Sequence, residues 1–175
     1  MNILVTGGSG FIGRNIVKLL KEQGDTVATL DMKDKNSIAD YHIICDVRNR
    51  QIVEKALSGI DYVYHLAAVT SPPEFENLMG EGYYVNVLGT YNVLAASQAN
   101  KVKRVVIASS SSVYGNTSKA ASEDSLQEKY NNFYPLTKRI NEMTLSLFND
   151  YCVETVALRY FNTYGLGENS KGAVL

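Results

Sequence analysis

The chain opens Asn2-Ile3-Leu4-Val5-Thr6-Gly7-Gly8-Ser9-Gly10-Phe11-Ile12-Gly13, and this stretch leaves few folds open. Ile3 to Val5 is an apolar run of strand length. Glycines interrupt it. Ile12, Ile16, Leu19 and Leu20 then recur at helical spacing, so a helix starts near Phe11. Strand, glycine-rich turn and helix in immediate succession aim unpaired backbone N–H groups, and the positive end of a helix dipole, at one point. A diphosphate fits there. Gly8-x-Gly10-x-x-Gly13 has the dinucleotide-binding spacing: one glycine turns the chain, one admits the phosphate, one lets helix and strand close up.

Strands and helices alternate from there on. Thr26 to Leu30 reads as a second strand ending at Asp31, roughly 20 residues beyond the glycine turn. A carboxylate at that place accepts both hydroxyls of an adenosine ribose and repels a 2′-phosphate. This favours NAD over NADP, although Lys33 and Lys35 pull the other way. His42 to Cys45 is a third strand, and Asp46-Val47 leaving it is placed to bracket an adenine edge. Ile52, Val53, Ala56 and Leu57 mark a short helix. Asp61 to Leu66 is a fourth strand, and the small Ala67-Ala68 leave room for a cofactor backbone. A loop at Thr70 to Pro73 precedes a long helix over about 83–100, with Val87, Leu88, Tyr91, Leu94 and Ala95 inward and Asn86 in its first turns. Val105 to Ala108 is a fifth strand, followed by four serines, Ser109 to Ser112. Lys119 to Tyr130 is polar and irregular. A helix from Tyr134 or Pro135 to Asp150 carries Leu136, Ile140, Met143, Leu147 and Phe148 as its apolar stripe. Val153 to Leu158 is a sixth strand, with Arg159 to Gly165 a loop leaving it.

This alternation predicts one α/β domain over residues 1–175, a doubly wound parallel sheet of Rossmann type in strand order 3-2-1-4-5-6. Net charge is −1, so no basic field points to nucleic acid. No apolar run reaches membrane-spanning length. The first residues enter the fold without a charged leader, and Cys45 and Cys152 read as buried free thiols, so a cytoplasmic location is expected. His42 and His65 read as structural, and no group of side chains suggests a metal.

Tyr134 and Lys138 are four apart on one helix and share a face. With 12 tyrosines in the chain, that spacing alone decides nothing. Position does. The helix after the fifth strand flanks the nicotinamide half of a dinucleotide crevice, beside the serine run. A carbinol carbon releases hydride only if its hydroxyl proton is also taken. An ionised phenol can take it. Holding a tyrosine ionised at pH 7 costs about 4 kcal/mol. A nearby ammonium and a cationic nicotinamide ring both lower that cost. A serine can bridge Tyr134 and the substrate oxygen, and Lys138 can also hold the nicotinamide ribose.

These pieces together resemble the extended short-chain dehydrogenase/reductases, in particular the NAD-dependent epimerase/dehydratase family acting on nucleotide sugars, its UDP-glucose 4-epimerases most of all. The resemblance is carried by residues 6–13, Asp31, Asp46-Val47, His65-Leu66-Ala67-Ala68, Asn86-Val87-Leu88-Gly89-Thr90, the serine run through Gly115, Tyr134-Pro135-Leu136-Thr137-Lys138 and Arg159-Tyr160-Phe161-Asn162. It implies that Gly7, Gly10 and Gly13 form the glycine triplet, one register from the spacing above. Phe11 and Ile12 at the turn, Asp31, Asp46, Val47, Leu66, Ala67, Ala68, Asn86 and Tyr160 would then face NAD. Ser110, with Ser111 as fallback, Tyr134 and Lys138 would be catalytic, with Ser111, Ser112, Tyr134 and Asn162 against the substrate. Dehydratases of this family resemble Ser-Thr-Asp-Glu where Ser111 and Ser112 stand here, so elimination is disfavoured and 4-epimerisation through transient oxidation at C4 is expected. Family members continue into a smaller substrate domain and usually dimerise through the two long helices, which implies a homodimer.

Overall fold

The structure, a computed structural model, describes residues 1–34, 38–70, 75, 79–117, 120–125, 129–130, 132–150 and 153–168. Lys35, the Ser71-Pro72-Pro73 loop and Cys152 lie outside the described residues. Six parallel strands make the sheet: β1 (Asn2–Thr6), β2 (Thr26–Asp31), β3 (Tyr41–Ile44), β4 (Tyr62–His65), β5 (Arg104–Ser110) and β6 (Glu154–Tyr160). Their order is β3-β2-β1-β4-β5-β6, as expected. The chain reverses its direction of winding between β1 and β4. The carboxyl ends of those two strands therefore open a crevice where sheets of this kind take ligands.

The helices divide between the faces by strand periodicity. Ile3, Val5 and Val27 pack on one face against Val17 and Leu20 of α1 (Phe11–Glu22). Leu4, Leu30, Val63, Val105 and Ile107 pack on the other. That second face is covered by α2 (Arg50–Ala56), α4 (Gly89–Ala99) and α5 (Phe133–Asn149). On the α1 face, the registers align Tyr64, Val106 and Val156, with Ala108 and Leu158 beyond them. No described helix covers that part, and Val156 and Leu158 are exposed.

Three expectations are corrected. β5 and β6 each extend two residues further than the apolar runs suggest. Ser109 pairs with Arg159 and Ser110 with Tyr160 in a ladder that overrides the polar character of those residues. The long helix 83–100 is composite: α3 (Met79–Tyr83), a π-helical turn (Tyr84–Leu88) and α4. The wider turn rotates the face presented downstream. Leu88 and Tyr91 are therefore exposed, while Asn86, Thr90, Asn92 and Ser97 are buried alongside Val93 and Leu94. On α5 the expected stripe is likewise partly outside: Met143 and Leu147 are exposed, and the buried face carries Thr137, Lys138 and Asn141. Cys45 is buried as expected, and burial raises its pKa.

A polar column replaces apolar packing between β1, β4 and the two helices. Thr6 Oγ1 lies 2.6 Å from His65 Nδ1 and accepts the Ala67 N–H at 3.3 Å. Thr90 Oγ1 lies 3.0 Å from His65 Nε2, donates to Asn86 O at 2.6 Å, and accepts from Asn141 at 3.0 Å. Thr90 has one proton and it goes to Asn86, so His65 Nε2 must donate and Nδ1 must accept. The imidazole is neutral, and burial holds its pKa down at about 3. An unfolded chain takes up that proton near pH 6.5, the folded chain only near 3, so acid favours unfolding across that interval. Urea unfolding is expected to show about 2 kcal/mol less stability at pH 5 than at pH 7 from this group. A His65→Gln variant should lack that dependence.

Candidate active site

The glycine turn is built by contact, not only by backbone freedom. Gly7 sits at φ 71°, in the left-handed region. A Cβ on Gly7 would lie 2.7 Å from the Ala67 backbone N, and one on Gly13 would lie 2.2 Å from Gly7 O. One glycine thus lets the chain leaving β4 close on the turn, and the other lets α1 close on it. Gly10 is exposed and caps α1 without a side-chain bond. The first-turn N–H groups, at Phe11 and Ile12 among others, have no partner within the helix. They are free to receive an anionic group. Gly8 is tightly placed too, since a Cβ there would lie 2.5 Å from Thr29 Cγ2, and Gly10 closes the turn by donating its N–H to Gly7 O at 3.0 Å.

Asp31, at the end of β2, accepts one bond on each oxygen: Ser9 N to Oδ2 at 3.0 Å and Lys33 N to Oδ1 at 2.9 Å. Among the described residues each oxygen keeps one further acceptor site, which suits the two hydroxyls of a ribose. Asp46 is placed beside it, since Cys45 N donates to Asp31 O at 2.9 Å. Arg48 holds its carboxylate, and this charge-assisted pairing lowers the Asp46 pKa. Val47 is buried beneath, against Gly89.

Leu66, Ala67 and Ala68 leave β4 half-buried at the crevice wall. Asn86 pins the next residue in both directions: Val69 N donates to Oδ1 at 2.9 Å, and Nδ2 donates to Val69 O and to Thr137 Oγ1, each at 3.1 Å. Its amide is thus taken up by the protein, and it shapes the wall. The π turn that carries Asn86 makes this reach possible, and nothing in the residue pattern signals it.

At the far end, Ser110, Tyr134 and Lys138 converge. Ser110 Oγ accepts from Ser112 N at 3.1 Å and from Ser112 Oγ at 2.9 Å. With both lone pairs filled, its own proton is left to donate, and Ser110 lowers the pKa of the neighbouring Tyr134. Ser112 therefore orients Ser110. Ser111 stands between them at the start of the 3₁₀ turn Ser111–Tyr114. Lys138 Nζ is buried, donates to Ala108 O at 2.7 Å and lies 5.7 Å from the centre of the Tyr134 ring. Burial lowers the Lys138 pKa to about 8. The Tyr134 pKa does not fall as the sequence reading expects. Burial raises it, and the Ser110 bond only partly opposes that. Tyr160 is half-buried beside Ser110 on β6, and Asn162 is exposed just beyond it.

One element of the site carries no signal in the motif. Glu142, one helical turn past Lys138, accepts the Ser109 hydroxyl at 2.5 Å and two Arg159 bonds at 2.9 and 3.0 Å. Arg159 also donates to the Tyr114 hydroxyl at 3.2 Å and to Glu123 O at 2.6 Å. This cluster ties α5, β5, β6 and the serine turn into one rigid wall.

The residues fit a dinucleotide: a glycine cradle that Cβ atoms would fill, an uncapped helix start and a ribose-spaced carboxylate. The comparisons agree. A UDP-glucose 4-epimerase of Halalkalibacterium halodurans is 33% identical over 98% of this chain and 53% of that relative. A GDP-6-deoxy-D-talose 4-dehydrogenase of Aggregatibacter actinomycetemcomitans is also 33% identical, over 97% of the chain and 55% of that relative. The solved Thermus thermophilus UDP-glucose 4-epimerase complex with NAD superposes with a TM-score of 0.89 at 31% identity, covering 99% of this chain and 59% of that one. The chain thus spans about half the length of the relatives it matches. The model of the NAD dependent epimerase/dehydratase family matches residues 3–175, and the chain belongs to that family.

Proposed function

We propose that the chain is the NAD-binding, proton-handling part of a nucleotide-sugar 4-epimerase of the UDP-glucose/UDP-galactose type. The observation that carries this reading is the Ser110–Tyr134–Lys138 group at the opposite end of the crevice from the glycine turn. NAD, when bound, supplies a reversible hydride acceptor beside the sugar C4. Gly7, Gly10, Gly13 and the start of α1 hold its phosphates. Asp31 holds the adenosine ribose, and Asp46 and Val47 face the adenine. Tyr134 exchanges the C4 hydroxyl proton. Ser110, held as a donor by Ser112, offers its one proton either to the phenolate or, once Tyr134 is protonated, to the substrate oxygen. Lys138 stays protonated at pH 7 and lends its charge. In the ligand-free site burial outweighs these helpers, so the cationic nicotinamide is needed to bring Tyr134 into range. Ser111, Ser112 and Asn162 lie towards the sugar diphosphate, and no carboxylate stands where elimination would require one.

One alternative follows from a specific observation. The 4-dehydrogenase relative supports a reductase or dehydrogenase that releases its reduced cofactor. A third reading is a non-catalytic NAD-binding module. Tyr84, Leu88, Tyr91, Met143 and Leu147 remain exposed on the π turn, α4 and α5, which supports a homodimer through those helices. No described helix is long and apolar enough to cross a membrane.

Incubation of the purified protein with UDP-galactose separates the readings. UDP-glucose appearing without added NAD would support the epimerase reading. Stoichiometric consumption of NADH would indicate the reductase, and NAD binding without sugar chemistry the module. Tyr134→Phe should lower turnover about 10²- to 10⁴-fold with NAD affinity retained. Asp31→Ala should weaken NAD while leaving NADP affinity level or improved, measured by calorimetry. Sedimentation should give a species of twice the chain mass.

A further inference from the structure

We propose that Arg48 sets the base specificity of the cofactor site, by holding Asp46 as a fixed acceptor for an amino-purine. This rests on the NAD reading above. An ionised carboxylate has about four acceptor sites. Three of those on Asp46 are taken by one residue. Arg48 N donates to Oδ1 at 2.8 Å, and Arg48 Nε and Nη2 donate to Oδ2 at 2.9 and 2.6 Å. Oδ2 is full, and among the described residues a single site remains, on Oδ1. The contrast with Asp31 is direct. Asp31 keeps two sites, one on each oxygen, which suits a diol. Asp46 keeps one, which suits a single N–H.

Fixation is what turns this acceptor into a discriminator. Adenine offers an exocyclic amino group where hypoxanthine offers a carbonyl oxygen. A carboxylate free to rotate can leave the carbonyl and accept the ring N1–H of hypoxanthine instead, and so tolerates both bases. A carboxylate gripped by a planar guanidinium fork and a backbone N–H cannot re-aim. It faces the hypoxanthine carbonyl with like partial charge. The grip is itself anchored. The anchor is in the backbone, where the Arg48 carbonyl accepts the Asn92 side chain at 3.0 Å, while the pairing of Arg48 with the exposed Glu81 of α3 lies on the side away from Asp46 and adds nothing to the grip. Val47, between the two, is buried and locks the backbone. Arg48 acts through Asp46 and is a positioning residue.

The test is calorimetric titration of the intact chain with NAD and with nicotinamide hypoxanthine dinucleotide. The parent should prefer NAD by about tenfold or more, one hydrogen bond to a charged acceptor. Arg48→Met keeps the aliphatic stem and removes the fork, and the preference should fall about tenfold, chiefly by gain of hypoxanthine binding. Glu81→Gln releases Arg48 from α3 without touching Asp46 and should leave the preference intact. A thermal melt checks that each variant is folded. An unchanged preference in Arg48→Met, or an equal loss in both variants, overturns the proposal. Failure of the parent to bind NAD at all overturns the cofactor reading instead, and the two failures are read from different titrations.

Discussion

The two ends of the crevice are joined by buried hydrogen bonds rather than by apolar contact. Thr6 precedes the glycine turn, and Thr137 donates to the carbonyl of Tyr134 at 2.7 Å. Between them run His65, Thr90, Asn86 and Asn141, all buried. Apolar side chains can slide past one another at small cost, whereas a closed set of donors and acceptors has one satisfied arrangement. That column therefore fixes the distance between the phosphate turn and the phenol. It works only while the imidazole is neutral and in one tautomer. Loss of any member leaves a partner buried and unpaired, which costs about 1–3 kcal/mol.

The catalytic group is placed against its own stability. Lys138 is buried with, among the described residues, the Ala108 carbonyl as its bonded partner, and its lowered pKa corresponds to about 3 kcal/mol of disfavoured charge. Burial pushes Tyr134 towards its neutral form as well, by raising its pKa. Groups held at such cost are the ones a site uses, because a bound cation or sugar oxygen relieves the penalty. The Glu142–Arg159 pair shows the stabilising counterpart. It is bidentate, supplemented by Ser109 and Arg139, and Glu142 stays ionised.

Much of this is legible in the residue pattern, for reasons of scale. The sheet order follows from alternation and handedness, whereas spacing alone reads the glycines as Gly8, Gly10 and Gly13 and only the family resemblance brings in Gly7. Tyr134 and Lys138 are picked out by their place on the helix after the fifth strand, and Ser110 by the family resemblance alone. What the pattern hides depends on long-range pairing. Ser109 and Ser110 are strand residues because Arg159 and Tyr160 lie beside them, and no local propensity encodes that. The inward face of the 83–100 helix is hidden because one π turn shifts the phase of everything after it. Asp46 is legible as an acid near adenine, but its capture by Arg48 is a side-chain geometry that spacing does not express.

Among the described residues β6 has a neighbour on one side only, and the α1-side surface around it presents Val156 and Leu158 to solvent. Such a border carries a row of unpaired backbone donors and acceptors next to a greasy strip. With a net charge of only −1, little long-range repulsion keeps copies apart. At high concentration the border becomes a template for edge-to-edge sheet growth. A short helix laid across Val156 and Leu158, or a lysine set into that strip, is the natural remedy for keeping the domain in solution.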